Sequence, residues 1–487
     1  MRKLEPARIS PAAPSLWHVG IAYLAMLALG VALFLAIRHL GQRLEGQRLA
    51  GPDAAQAVTV APPAGGHQVD TAFHVLATLA AVIALGYVLG RAFRWIGQPP
   101  VIGEVVAGIL LGPSVLGAMS PAAAEWLIPS AALDPGGQVP AALTVIARLG
   151  IVLYMFLVGL ELHLARLRQQ AQAAVAISHA SILLPFLLGA ALALGIYPTM
   201  APAGVAFTSF ASFMGIAMAI TAFPVLARIL TDSGLEKTDL GQIALSCAAA
   251  DDVTAWCLLA LVMGSAQAQF DAALLAVLGA VGFVLFMIFF VRPAAARLSR
   301  RFETGDEPGW IFPGILVAVL AAALTTELIG VHAMFGSFLL GAVLPAGSRL
   351  AALLHRRLHD VATVLLLPAF FALTGLRTQI HLLSDAGAWG LTAVIIVVAT
   401  VGKVGGTAAA ARWTGFAWRP AVALGVLMNT RGLMEIVVLN IGLELEIISP
   451  QLFTMMVLMA LATTLATSPT LGWVTSGPNR SFPRDPN

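Results

Sequence analysis

The sequence predicts an all-α polytopic membrane protein, and three observations carry that prediction. Of 487 residues, 59% are hydrophobic and only 10% are charged, whereas a soluble domain needs about 25% charged residues. The apolar residues gather into segments of about 20, the length that spans a bilayer as a helix. Basic residues fall mainly on alternate connections between those segments. A mean hydropathy of +0.90 excludes a soluble chain, and the composition also excludes disorder, coiled coil and collagen. A net charge of +3 gives no sign of a nucleic-acid partner.

Taken in order, the first apolar segment covers 15–37 and follows Arg2, Lys3 and Arg8. A signal peptide has a shorter apolar region, so this segment reads as a retained, extra N-terminal span. The polar stretch 39–70 carries Pro and Gly and reads as an extramembrane linker. Further segments follow at 72–95, 101–119, 143–162, 173–197, 203–229, 239–265, 270–291, 311–329, 331–347, 361–377, 388–411, 419–442 and 449–474. The chain thus divides into an N-terminal part (1–71), a membrane domain of about thirteen spans (72–474) and a short tail (475–487).

Loop charge tests that count. One set of connections holds Arg91 and Arg94, Arg166 and Arg168, Arg228 and Lys237, Arg292 to Arg301, Arg349 to Arg357, Arg412 and Arg419, and Arg480 with Arg484. The intervening set is nearly free of them, apart from the Arg38–Arg48 run, Arg148 and Arg377. The basic side is expected to be cytoplasmic, so fourteen spans put both termini inside. A missed span would break the alternation.

The chain also resembles itself. Ala107-Gly-Ile-Leu-Leu-Gly112 is similar to Gly336-Ser-Phe-Leu-Leu-Gly341, and Leu157-Val-Gly-Leu160 to Leu373-Thr-Gly-Leu376. In the expected topology the matching spans run in opposite directions, the sign of an inverted-repeat transporter. Glycine-rich helices also match by chance, so this repeat does not stand alone.

Candidate functional residues are the ionisable groups that lipid tolerates poorly. Asp251 and Asp252 sit midway along an apolar span, and neighbours on a helix point about 100° apart. One can therefore hold a partner while the other faces a cavity. Lys403, one of only three lysines, lies mid-span between glycines and calls for a carboxylate, one of these two aspartates. Arg431 and Glu435 are four apart and able to pair on one helix. Around them, Asn429-Thr430-Arg431-Gly432 is polar enough to interrupt span 419–442, as Thr221 to Pro224 interrupts span 203–229. Two interrupted helices in matching positions of two halves point to a midplane ion site. Glu104, Glu161, Glu327 and His332 lie nearer span ends, where packing roles are as well suited as ion handling.

Other chemistry finds no support. Cys247 and Cys257 are ten apart on one span, about 15 Å along a helix and beyond disulfide reach. The sequence has no GxSxG, Walker A or HExxH pattern, so no enzymatic activity and no cofactor is expected.

Six ordered motifs carry a family resemblance. They are Gln98-Pro-Pro-Val-Ile-Gly-Glu-Val-Val-Ala-Gly-Ile-Leu-Leu-Gly-Pro113, Thr221-Ala-Phe-Pro-Val-Leu-Ala-Arg-Ile-Leu230 and Ala248-Ala-Ala-Asp-Asp-Val253. Gly330-Val-His-Ala-Met-Phe-Gly336, Phe371-Ala-Leu-Thr-Gly-Leu-Arg377 and Asn429-Thr-Arg-Gly-Leu-Met-Glu435 complete them. Together they resemble the monovalent cation:proton antiporter-2 family over residues 72 to about 474; residues 1–71 lie outside the resemblance.

The resemblance implies an inverted-repeat antiporter fold with two crossing interrupted helices, a mobile core and a dimerisation domain. It implies exchange of Na⁺ or K⁺ for H⁺ by a homodimer in a prokaryotic inner membrane. Carried over, Asp252 is the main cation- and proton-binding carboxylate, and Asp251, which joins it in the cation- and proton-binding site, is the partner of Lys403, the salt bridge and second proton carrier. Thr221, Pro224, Asn429 and Thr430 mark the crossing, with Arg431, Glu435, Glu327 and His332 as supporting charges. An Asp rather than Asn at position 251 implies electrogenic exchange. With about thirteen residues after 474, no fused nucleotide-sensing domain is expected. A sodium-coupled organic-anion symporter and a cation channel are the competing functions.

Overall fold

Lipid offers the backbone no hydrogen bonds, so a spanning chain must satisfy its own, and helices do so locally. In the computed structural model, which describes residues 16–48, 70–129, 137–161, 171–236, 238–266, 270–304, 309–330 and 332–475, all regular structure is helical. Among the described residues, ten helices are long and apolar enough to cross a membrane. The other four predicted segments coincide with two broken helices, the carboxylate-bearing helix and one short helix. The chain is a multi-pass membrane protein. Both termini, most of the linker, Arg166, Arg168, Lys237 and the tail beyond Thr475 lie outside the described residues.

Two bundles form, and helices pack closely within each and only sparsely between them. The first, the scaffold, contains α2 (Thr71–Trp95), α3 (Pro100–Leu111), the short α4 (Leu116–Met119) and α5 (Pro121–Leu127), and α6 (Gln138–Glu161). The second, the core, takes α7 (Ala171–Met200), the broken pair α8 (Phe207–Ala219) and α9 (Phe223–Asp232), and α10 (Asp239–Ala266). A linking helix, α11 (Phe270–Phe286), runs through a π turn into α12 (Arg292–Thr304). The scaffold resumes with α13 (Ile311–Ile329), α14 (Ala333–Val343), α15 (Arg349–Asp360) and α16 (Leu367–Arg377). The core closes with α17 (Ala386–Trp413), the broken pair α18 (Trp418–Met428) and α19 (Leu433–Glu444), and α20 (Pro450–Thr475).

The inverted repeat is visible in backbone contacts. A Cβ on Gly159 of α6 would overlap backbone atoms of α14, and one on Gly341 of α14 would overlap backbone atoms of α6. Likewise Gly375 of α16 and Gly112, just after α3, lie against each other's helices, with Gly375 on the Gly108 peptide. Each repeat thus lends one motif glycine to each of two equivalent crossings, where only a missing side chain lets backbones touch.

Three boundaries differ from the sequence reading. The predicted linker 39–70 begins as helix, because α1 (Leu16–Arg48) continues past residue 37. No proline occurs between Pro14 and Pro52, and Gly41, Leu44 and Glu45 extend the stripe that α1 packs inward. Span 101–119 stops being one helix at Gly112-Pro113, where proline removes a donor and Ser114 turns outward to bond Thr378 O and Ile380 N. The basic connections 292–304 and 349–360 are amphipathic helices, the second burying Leu350, Leu354 and Leu358 beneath exposed Arg356 and Arg357.

α1 packs on the core bundle, against α7 and α8. Tyr23 meets His179 edge-on at 5.4 Å between ring centroids, and Phe34 meets Phe186 at 5.3 Å. Gly30 and Gly41 press on Leu183 and the Phe207 ring. At its end, the Glu45 carboxylate accepts the Phe207 N–H that opens α8.

Candidate functional site

A broken helix leaves carbonyls at the end of its first half and N–H groups at the start of its second. Here the two breaks satisfy one another. The Ala222 N–H donates to Thr430 O at 2.9 Å, and Thr221 Oγ1 reaches Met428 O, the last carbonyl of α18, at 3.0 Å. Arg431 donates to Ala217 O at 2.9 Å and to Met218 O at 2.5 Å, covering the C-terminal carbonyls of α8. Cations are favoured there because the helix dipole is negative at that end. Thr464 of α20 holds the Arg431 backbone from both sides, accepting its N–H and donating to its carbonyl.

Two details correct the sequence reading. Pro224 stands in the first turn of α9 rather than inside the gap, which spans Ile220 to Ala222. Arg431 precedes α19 instead of sharing a helix with Glu435; the two still pair at 3.4 Å across the start of that helix, both fully buried.

The two aspartates divide. Asp251 is saturated: Ser178 Oγ donates to its Oδ1 at 2.5 Å, while Ser181 Oγ (3.4 Å), Thr221 Oγ1 (2.9 Å) and Lys403 Nζ (2.9 Å) converge on its Oδ2. Thr221 has one proton to share between Asp251 and Met428 O. Lys403 also donates to Ala219 O, the end of α8. Asp252 is as deeply buried, yet neither carboxylate oxygen has a hydrogen-bond partner among the described residues. Asn429 Oδ1, at the second break, is likewise buried without a partner. Buried polar groups are nearly always satisfied, so an unpartnered carboxylate beside a saturated one marks the atom pair with capacity for a proton or a cation.

Access differs at the two ends. Between the bundles a cavity of about 370 Å³ is lined by Glu104, Tyr154 and Glu161 of the scaffold and by Val225, Arg228 and Thr231 of α9. At the opposite end a smaller cavity of about 40 Å³ lies near Arg148, His332, Arg377, Asn440 and Glu444.

The structure therefore brings together Asp251, Asp252, Lys403, Thr221, Asn429, Thr430, Arg431 and Glu435 in or beside the crossing. It does not bring Glu327 or His332 there. Those two cap the start of α14 in the scaffold, Glu327 accepting the Ala333 N–H at 2.9 Å and His332 Nδ1 facing Met334 N at 3.5 Å. Sequence reasoning missed Ser178 and Ser181, two hydroxyls nearly one turn apart on an apolar helix, and the Arg431 contacts to α8.

A profile described as "Sodium/hydrogen exchanger, transmembrane" matches residues 77–477. The chain belongs to this family. Its members are transporters, and the cation:proton antiporter resemblance read from six motifs agrees with the match. The Na(+)/H(+) antiporter NhaS4 of Synechocystis sp. is 41% identical over 406 residues, 82% of this chain and 97% of that protein. Cation/H(+) antiporter 19 of Arabidopsis thaliana is 37% identical over 399 residues, 81% of this chain but 49% of its own length. The chain spans about half of that plant relative. The solved structure of the sodium proton antiporter MjNhaP1 from Methanocaldococcus jannaschii at pH 8 shares the fold, with a TM-score of 0.60 at 12% identity. The match covers 82% of this chain and 96% of that one.

Proposed function

We propose that this protein exchanges a monovalent cation, Na⁺ or K⁺, for protons by alternating access around Asp252. The carrying observation is the contrast between two adjacent buried carboxylates, one saturated and one unpartnered. Asp252 takes either a proton or a desolvated cation, and the core crosses the barrier only when that charge is neutralised. Competition for one site then gives antiport. The names of the relatives support cation and proton as substrates.

In this reading Asp251 holds Lys403 while the cation is away and joins Asp252 as a cation ligand when the pair opens. Lys403 then gives up its proton, so exchange is electrogenic. The basic ends of the helices face the cytoplasm, with both termini inside, in a prokaryotic inner membrane. The antiporter domain spans 72–474 and works as a homodimer. The test is Asp252→Asn in proteoliposomes carrying a ΔpH dye. Folding and insertion should persist while cation-driven dequenching disappears; exchange at the unmodified rate would refute the assignment.

A further inference from the structure

Arg148 and Arg377 break the charge alternation of this chain, standing at the end opposite most basic connections. Glu444 accounts for both. Its Oε2 accepts from Arg148 Nη2 at 3.1 Å and its Oε1 from Arg377 Nη1 at 3.0 Å. Arg377 also donates to Asn440 Oδ1 at 2.7 Å, and Asn440 Nδ2 donates to Thr374 Oγ1 at 3.1 Å. Arg148 belongs to α6 and Arg377 to α16, both scaffold helices, whereas Asn440 and Glu444 belong to α19 of the core.

The placement is unusual for a carboxylate. Glu444 ends α19, where the helix dipole disfavours an anion, so the two guanidinium groups are what make the position tenable. They also join bundles that otherwise pack sparsely, beside a cavity of about 40 Å³, whereas the cavity between the bundles at the other end is about 370 Å³. We propose that Glu444 is a gating residue: with Arg148 and Arg377 it latches the outer end of the core to the scaffold, and the latch must open before Asp252 meets the outside. The terms outer and gating rest on the exchange function proposed above. Because the three side chains are partly solvated, 59%, 27% and 32% exposed for Arg148, Arg377 and Glu444, the latch is weak. A weak latch suits a step that must reverse in every cycle.

The test reads opening directly and needs no transport. In nanodiscs, with Cys247 and Cys257 replaced by Ala, Thr144→Cys reports the outer cavity and Thr231→Cys the inner one, both through reaction with a charged thiosulfonate. Glu444→Gln should raise the Thr144→Cys rate about threefold or more and lower the Thr231→Cys rate, as a shift between two states requires. Arg148→Gln, at an exposed position that does not threaten folding, should do the same and add little on top of Glu444→Gln. An unchanged Thr144→Cys rate would overturn the latch, and so would a rise at both positions, which signals general loosening. Normal exchange by Asp252→Asn would remove the exchange reading while leaving these rates as they are.

Discussion

Lys403 pairs with Asp251 at 2.9 Å, both side chains fully buried, while the adjoining Asp252 receives no hydrogen bond among the described residues. Such a pair is worth little against an apolar replacement of both partners, yet breaking it leaves one uncompensated charge in a dry interior. That asymmetry predicts different outcomes for replacing one partner and for replacing both.

Asp251→Asn should therefore lower stability by roughly 3–5 kcal/mol. Adding Lys403→Met should restore most of that, because the stranded ammonium is removed with its partner. Thermal unfolding of the purified variants decides it: a double variant no more stable than Asp251→Asn alone would show that the hydroxyl contacts, not the charge, set the loss.

Shared-site competition at Asp252, as proposed above, would fix the sign of the pH dependence. A proton on Asp252 excludes the cation, so falling pH weakens apparent cation affinity and rising pH strengthens it until the carboxylate is bare. While the protonated form dominates, each unit of pH shifts the apparent affinity up to about tenfold. Exchange titrated with cation from about pH 6 to about pH 9, a range wide enough for a buried carboxylate, measures this. A flat affinity across that window would rule out one shared site.

Charge movement tests Lys403. If the ammonium releases its proton when the cation breaks its pair, one turnover moves unequal charge each way, and a membrane potential should alter the rate. Lys403→Gln should then retain only voltage-insensitive exchange. Should Lys403 serve stability alone, the variant would melt earlier but keep its charge stoichiometry. Currents on a solid-supported membrane distinguish the two.

The spans, the two interrupted helices and the aspartate pair were legible in the sequence because lipid makes every polar residue conspicuous. Which aspartate takes Lys403 was open from the residues themselves, and only the family resemblance pointed to Asp251, the partner found in the structure. Adjacent residues on α10 face different neighbours, and only the positions of Ser178, Thr221 and Lys403 select Asp251. Arg431 was conspicuous, but its main contacts are carbonyls of Ala217 and Met218, more than 200 positions away, and backbone acceptors leave no mark in a sequence. The glycine repeat was legible as a pattern, whereas the swapped pairing, Gly159 with Gly341 and Gly375 with Gly108, needed the fold.

The packing of α1 on the core has a mechanical consequence. If the core slides against the scaffold, a helix gripped through Phe34, Gly41 and Glu45 travels with it. Its outer face, with Leu24, Leu29, Val31 and Leu35 exposed, is then part of the moving body's contact with the lipid annulus. A wider annulus means that more acyl chains must rearrange with each stroke, and hydrophobic mismatch acts over a longer perimeter. Bilayer thickness thereby becomes a load on the transport cycle, carried by a helix that contributes no residue to the crossing.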